Sequence, residues 1–347
     1  MDKLRIVDLF CGSGGFTLGF LKEKYNVELA ADIDPYCEKV YQKNLPKIKF
    51  VLSDLSKLNK NIFEGLKPDI VVGGPPCQGF STIGARISSV EKKRKKKDIR
   101  NNLVFSFIEH VNYLNPKIFL MENVSGILTR ENGNIFSELK KKIKNYGYRF
   151  EVFNLDAVNY GVPQYRKRVF IIGTKFDKYE ISKPNITHGD SLFLEKENTV
   201  NSVIKDLAKI KIDVTMNHVP LKHKPKNLKR YSLIPEGGRL PENKLSKELF
   251  RKNFGNTFKR LHRNKPSLTM VPGHNAFPIH PWLDRSLTVR EAARIQTYPD
   301  NFIFIGPRHE QCIQVGNSVP VKLAQSWAKH LKKILLKKII KKNEKAA

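Results

Sequence analysis

The 347-residue chain is 40% hydrophobic and 28% charged, and 63 Lys+Arg against 33 Asp+Glu leave a formal charge of +30 at pH 7. The apolar content is enough for a full core and is not that of a disordered chain, and no apolar run approaches the roughly 20 residues that cross a bilayer. Four cysteines, Cys11, Cys37, Cys77 and Cys312, share no CxxC or other metal-ligand spacing, so a cytoplasmic chain with reduced thiols, no metal and a polyanionic partner is expected.

Up to Thr174, apolar runs rich in β-branched residues alternate with segments of helical period. LRIVDLF, VELAADI, DIVVGG, KIFLMENV, YRFEVFNL and RVFIIGT read as strands; FTLGFLKEK, PYCEKVYQKNL, LVFSFIEHVNYL and IFSELKKKIKNY read as helices. The alternation predicts an α/β fold, a Rossmann-like doubly wound and mostly parallel sheet. From about Pro184 to Pro281 the pattern gives way to Pro-, Asn- and Lys-rich sequence, a smaller irregular domain. LTVREAARIQ then reads as a helix, and PVKLAQSWAKHLKKILLKK as a long amphipathic helix returning to the first sheet. The expected division is 1–180, 181–300 and 301–347.

The first strand runs into DLFCGSGGFTLGF, whose glycines allow either a sharp strand-to-helix turn or a ligand-binding loop. Asp32 at the end of the second strand and Asp54 in SDLS, at a third strand end, favour the ligand and describe a nucleoside pocket. The loop lacks both GxGxxG and the GKS/T ending of a phosphate-binding loop, so a nucleoside without a polyphosphate, such as S-adenosylmethionine, fits better than NAD or ATP. Cys11 and Cys37 read as packing residues.

After the next strand, GGPPCQGFS holds Cys77 behind Pro75 and Pro76, whose fixed φ aims the thiol in one direction. A rigid thiol at a carboxyl strand edge suits a nucleophile. The basic stretch that follows, with Lys93, Lys95, Lys96 and Arg100, reads as a loop closing on phosphates or as solvated surface. Glu122 ends another strand in IFLMENV. Arg166 and Arg168 in QYRKRV, two apart, are expected on one face of an extended segment, where they grip a ligand or form a structural ion pair with Glu122.

In order, DLFCGSGGF, ADIDPYC, SDLS, GGPPCQGFS, ENV, QYRKRV, RSLTVREAARIQTYPDNF and QVGNSVPVKLA resemble the motifs of the cytosine-5 DNA methyltransferases over most of the chain. The resemblance implies a catalytic domain using S-adenosyl-L-methionine, leaving S-adenosyl-L-homocysteine, a target-recognition domain, and attack on a flipped-out cytosine of double-stranded DNA. It assigns Cys77 as nucleophile, Glu122 as the acid at the base, and Arg166 and Arg168 as arginines of the catalytic pocket. Phe10, Gly12, Gly14, Asp32, Asp54, Pro75, Leu103 and Asn317 match cofactor positions. Ile33 stands where the family often has an aromatic residue, leaving an aliphatic plate for adenine.

In the variable region, Arg239 and Arg260 lie among glycines and cations suited to a DNA groove. A monomer is expected, of bacterial or archaeal restriction-modification type, with any restriction endonuclease encoded separately. Two other readings carry the same motifs: a tRNA cytosine-5 methyltransferase and a catalytically inactive DNA-binding regulator. Methylation of an exocyclic amine would instead expect an Asp/Asn/Ser-Pro-Pro-aromatic motif, where this chain has GGPPCQ.

Overall fold

The computed structural model describes residues 3–76, 103–176, 181–241, 243, 245–250, 256–271 and 277–343. It divides into two compact units, one of Met1–Asp156, Lys167–Asn185 and Ala324–Ala347, the other of Ala157–Arg166 and Ile186–Leu323. The bounds differ from the sequence expectation in three places: residues 157–166 and 301–323 go with the second unit, and residues 181–185 with the first. The reasons are local. Gln164 bridges Ser267 and accepts from the Met270 amide at 3.2 Å, while Phe302 and Phe304 pack on Tyr298.

The first unit is built on a seven-stranded sheet: β1 (Arg5–Leu9), β2 (Asn26–Asp32), β3 (Phe50–Leu52), β4 (Ile70–Gly73), β5 (Ile118–Asn123), β6 (Arg149–Asp156) and β7 (Lys167–Thr174). Their order is β3-β2-β1-β4-β5-β7-β6. The pairs among β1 to β5 are parallel, and β7 runs antiparallel to both β5 and β6. Every residue of β4 (IVVG) and β5 (IFLMEN) is buried, as expected of parallel strands covered on both faces. The edge strand β6 instead buries only Leu155.

Helices α1 (Gly15–Lys22), α2 (Pro35–Asn44), α3 (Leu103–Leu114) and α4 (Asn134–Asn145) flank the sheet sequence. The start of α2 is set by Asp34, whose side chain accepts the Tyr36 N–H at 2.8 Å ahead of Pro35. Val104, Phe107, Ile108, Val111 and Leu114, at helical spacing, bury one face of α3 with Phe119 of β5. Each such side chain contributes roughly 2 kcal/mol by burial. The last helix of the chain carries Trp327, fully buried beside Phe170 and Phe153. Its approach is close: a Cβ on Gly19 would lie 2.5 Å from the Ala324 Cβ.

The second unit is mostly irregular, with short helices α5 (Val200–Ile204), α6 (Pro225–Ser232), α7 (Val289–Ile295) and α8 (Arg308–Asn317). Helix α9 (Val321–Asn343) begins in this unit and continues in the first. Isolated bridges such as Arg239 to Lys259 and Arg260 to Ile279 stand in for a sheet. Buried arginines replace part of the missing ladder. Arg290, wholly buried, donates to the carbonyls of Met216, Pro299 and Phe302.

Candidate active site

Loop residues 10–14 leave β1 at its carboxyl edge. Phe10 takes φ 53° and Gly12 φ 52°, left-handed values that turn the chain sharply. The Gly12 N–H donates to Asp32 Oδ2 at 2.8 Å, tying the loop to the end of β2, and Asp32 Oδ1 accepts from the Asp34 N–H at 3.1 Å. Burial raises the Asp32 carboxyl above its ordinary range, outweighing the lowering by these N–H groups. Next to it Ile33 is 64% exposed. Asp54 is exposed beyond β3 and held below the usual carboxylate range by hydrogen bonds from Ser56. A Cβ placed on Gly12 would meet nothing within 4 Å among the described residues. Exposed apolar surface at Ile33, two carboxylates and open space at Gly12 fit the adenine, ribose and amino groups of a nucleoside.

The same edge continues through β4 and β5. Pro75 is buried, and its carbonyl accepts from Asn123 Nδ2 at 3.4 Å. Glu122, in register with Phe170 of β7, sets Oε2 3.5 Å from where a Gly74 Cβ would be. Arg168 reaches Glu122 Oε1 with Nε at 2.9 Å, and the two side chains are only 14% and 11% exposed. Because β7 is antiparallel, its first residues lie at the edge where β4 and β5 end. The ion pair therefore stands beside the strand that leads into Cys77. Cys77 itself lies outside the described residues, as do Lys93, Lys95, Lys96 and Arg100.

Arg166 precedes β7 and belongs to the second unit, where its buried guanidinium donates to the carbonyls of Met270, Gly316 and Ser318 at 3.0–3.2 Å. Spacing by two placed it with Arg168, but the strand begins only at Lys167. In that unit the Arg166 guanidinium holds three backbone carbonyls together.

Arg260 is likewise corrected as a DNA contact. Its guanidinium is buried and donates to the carbonyls of Ile234, His280, Leu283 and Tyr231 and to Asp284. None of that fork is left for a phosphate. Arg239 is exposed on the neighbouring bridge. Leu103 opens α3 half-buried, and Asn317 closes α8 exposed in the second unit.

Cys11, Cys37 and Cys312 are buried, and burial pushes the Cys312 thiol up to about 11. Such thiols are poor nucleophiles at neutral pH. Among the described residues no cluster of His, Cys, Asp or Glu is arranged to hold a metal ion, and no helix is long and apolar enough to cross a membrane. Sequence reading missed Asp8, Thr17 and Tyr41, a buried chain beneath the glycine loop. The signal available was an aspartate inside an otherwise apolar strand.

Residues 4–333 match the model of the C-5 cytosine-specific DNA methylase family. The chain is 35% identical to the type II methyltransferase M1.HphI of Haemophilus parahaemolyticus, covering 96% of this chain and 87% of that one. It is 31% identical to the type II methyltransferase M.DdeI of Desulfomicrobium norvegicum, covering 94% and 88%. A candidate DNA modification methyltransferase encoded within an Escherichia coli prophage superposes with a TM-score of 0.75 at 27% identity, covering 96% of this chain and 99% of that one. A family match over nearly the whole chain, on a sheet edge carrying this glycine loop and this glutamate–arginine pair, shows that the protein belongs to the C-5 cytosine-specific DNA methylases and is a DNA cytosine-5 methyltransferase.

Proposed function

We propose that the protein methylates C5 of a cytosine flipped out of a specific duplex sequence, as a cytoplasmic, monomeric modification enzyme of restriction-modification type whose endonuclease, where present, is a separate chain. The cofactor is S-adenosyl-L-methionine, which supplies an electrophilic methyl group when bound and leaves as S-adenosyl-L-homocysteine. Gly12, Gly14, Asp32, Ile33 and Asp54 hold it, with Phe10, Pro75 and Leu103 lining the site. The reading is supported above all by the 2.9 Å pair of Arg168 and Glu122 on the edge that leads into Cys77.

Cytosine C5 alone is too weak a nucleophile for a methyl transfer. The Cys77 thiolate forms a bond to C6 while Glu122, which takes up a proton as the base enters, gives that proton to N3, so the C5–C6 π electrons become an enamine that is nucleophilic at C5. Arg168 holds the Glu122 carboxyl in one orientation while the base enters. After methylation, loss of the C5 proton returns an electron pair to C5–C6, expels Cys77 as thiolate and releases the N3 proton. None of this is possible in a stacked helix, so extrusion of the base costs a few kcal/mol, offset by pocket and phosphate contacts. Lys93, Lys95, Lys96, Arg100 and Arg239 provide the phosphate contacts.

Bisulfite sequencing of DNA from cells carrying this gene, against an empty control, tests the reading and reveals the target. We expect 5-methylcytosine in one sequence context. No methylated context in DNA, with 5-methylcytidine appearing in digested tRNA, would make RNA the substrate.

A further inference from the structure

Helix α1 begins behind Gly14, a residue with φ 84° and no side chain to cap the first turn. The missing acceptor comes from another element. Asp8 of β1, wholly buried, accepts the Thr17 N–H at 3.0 Å and the Thr17 hydroxyl at 2.8 Å, both on Oδ2. Thr17 Oγ1 lies 2.9 Å from the Tyr41 hydroxyl of α2. With the single Thr17 hydroxyl proton given to Asp8, Tyr41 is the donor of that second bond. The same Tyr41 hydroxyl lies 3.2 Å from where a Cβ on Gly14 would be, so the chain of three forms the floor of the loop.

We infer that Asp8 and Thr17 are positioning residues of the glycine loop, a cap supplied from β1 to the first turn of α1 that couples loop geometry and cofactor affinity to one buried proton. The inference rests on the S-adenosylmethionine reading above. Asp8 Oδ1 is buried with no hydrogen-bond partner among the described residues, and no cation there pairs with this carboxyl. The titratable groups facing it are Asp32 of β2, Cys11 of the loop and Tyr41 of α2, all acids. Burial, helped by Asp32 and opposed by the Thr17 bonds, pushes the Asp8 carboxyl up to about 7. A cationic cofactor, when bound by the loop residues, would favour the ionised carboxylate, which also caps Thr17 more strongly. Affinity then rises as pH rises through neutrality.

Titration calorimetry of the full-length protein with S-adenosylmethionine from pH 6 to 8 tests this. The wild type should bind about fivefold tighter at pH 8 than at pH 6, the change that follows when binding lowers the carboxyl midpoint by about one unit from about 7. Asp8→Asn should lose that dependence, and its profile subtracts the ligand's own titration. Thr17→Val should weaken binding about tenfold and Thr17→Ser restore it to within about twofold. In the ligand-free protein, hydrogen exchange at Phe16 and Thr17 should quicken in Asp8→Asn and Thr17→Val. Wild-type affinity in Thr17→Val, or identical pH profiles for wild type and Asp8→Asn, overturns the inference. If the wild type binds no S-adenosylmethionine at any pH, the cofactor reading fails, and unchanged exchange in Asp8→Asn then refutes the cap as well.

Discussion

Arg168→Ala removes the cation from a carboxylate that has little water to replace it. The pair is 2.9 Å apart, with side chains 14% and 11% exposed. Breaking a fully buried pair costs about 3–5 kcal/mol; the residual exposure here brings the expected loss to about 2–3 kcal/mol. Glu122→Gln keeps the shape and a weaker hydrogen bond, at about 1–2 kcal/mol. In the double variant neither charge is left alone, so the cycle should return a coupling of about 1–2 kcal/mol. Urea unfolding followed by Trp327 fluorescence, in a Trp282→Phe background, reads the first unit, because Trp327 is buried in it beside Phe170. Activity should fall in a different pattern. Glu122→Gln should lower the methylation rate by about 10²–10⁴-fold, the range for loss of a general acid. A coupling below about 0.5 kcal/mol would mean the pair is not held together in solution, and the orienting role of Arg168 would be wrong.

Arg260→Ala should destabilise the second unit by about 3–5 kcal/mol, since it strands four carbonyls and Asp284; an intact unit with weakened DNA binding would restore Arg260 as a DNA contact. Arg239→Ala should leave the melting point unchanged and flatten the slope of log affinity against log salt by about one unit. Lys93, Lys95 and Lys96 changed together to Ala should flatten it by about one unit per lost phosphate contact, equally on target and non-target duplexes, and an unchanged slope would make the run solvated surface. Burial pushes His280 down to about 4, outweighing the attraction of Glu291. The unfolded imidazole takes up its proton first as pH falls below about 6.5, so the second unit should lose about 3 kcal/mol between there and about pH 4. His280→Gln should remove most of that slope, as measured by thermal unfolding across pH.

The first unit was legible because one physical signal recurs in it. Strands buried on both faces must be nearly continuous apolar runs, so a polar residue at their carboxyl ends, as at Asp32 and Glu122, stands out against the run. The three-residue β3 had no such run, and only the acid beyond it, Asp54, marked its end. Arg166 and Arg168 show where the sequence was silent. Two arginines spaced by two look alike, and what separates them is the start of β7 at Lys167, fixed by pairing with β5 and β6 rather than by local residues. Arg260 misled for a related reason: in irregular sequence a buried arginine gathers carbonyls that a sheet would otherwise satisfy, and composition cannot tell it from one that meets DNA. The carboxyl of Asp8 was visible only as a charge in an apolar strand, and its acceptor role appears once α1 is placed.

The claim on which the account rests is that Cys77 is the nucleophile, and a duplex with 5-fluorocytosine at the target position tests it most directly. The thiol should add to C6 and the methyl group should transfer, but fluorine cannot leave as the proton does, so elimination stalls. With S-adenosylmethionine present, a protein–DNA adduct should accumulate, survive denaturing electrophoresis and map to Cys77. Glu122→Gln should form it far more slowly, and Cys77→Ala should bind the duplex yet form none. An adduct mapped to Cys11, Cys37 or Cys312, or full methylation by Cys77→Ala, would contradict the account.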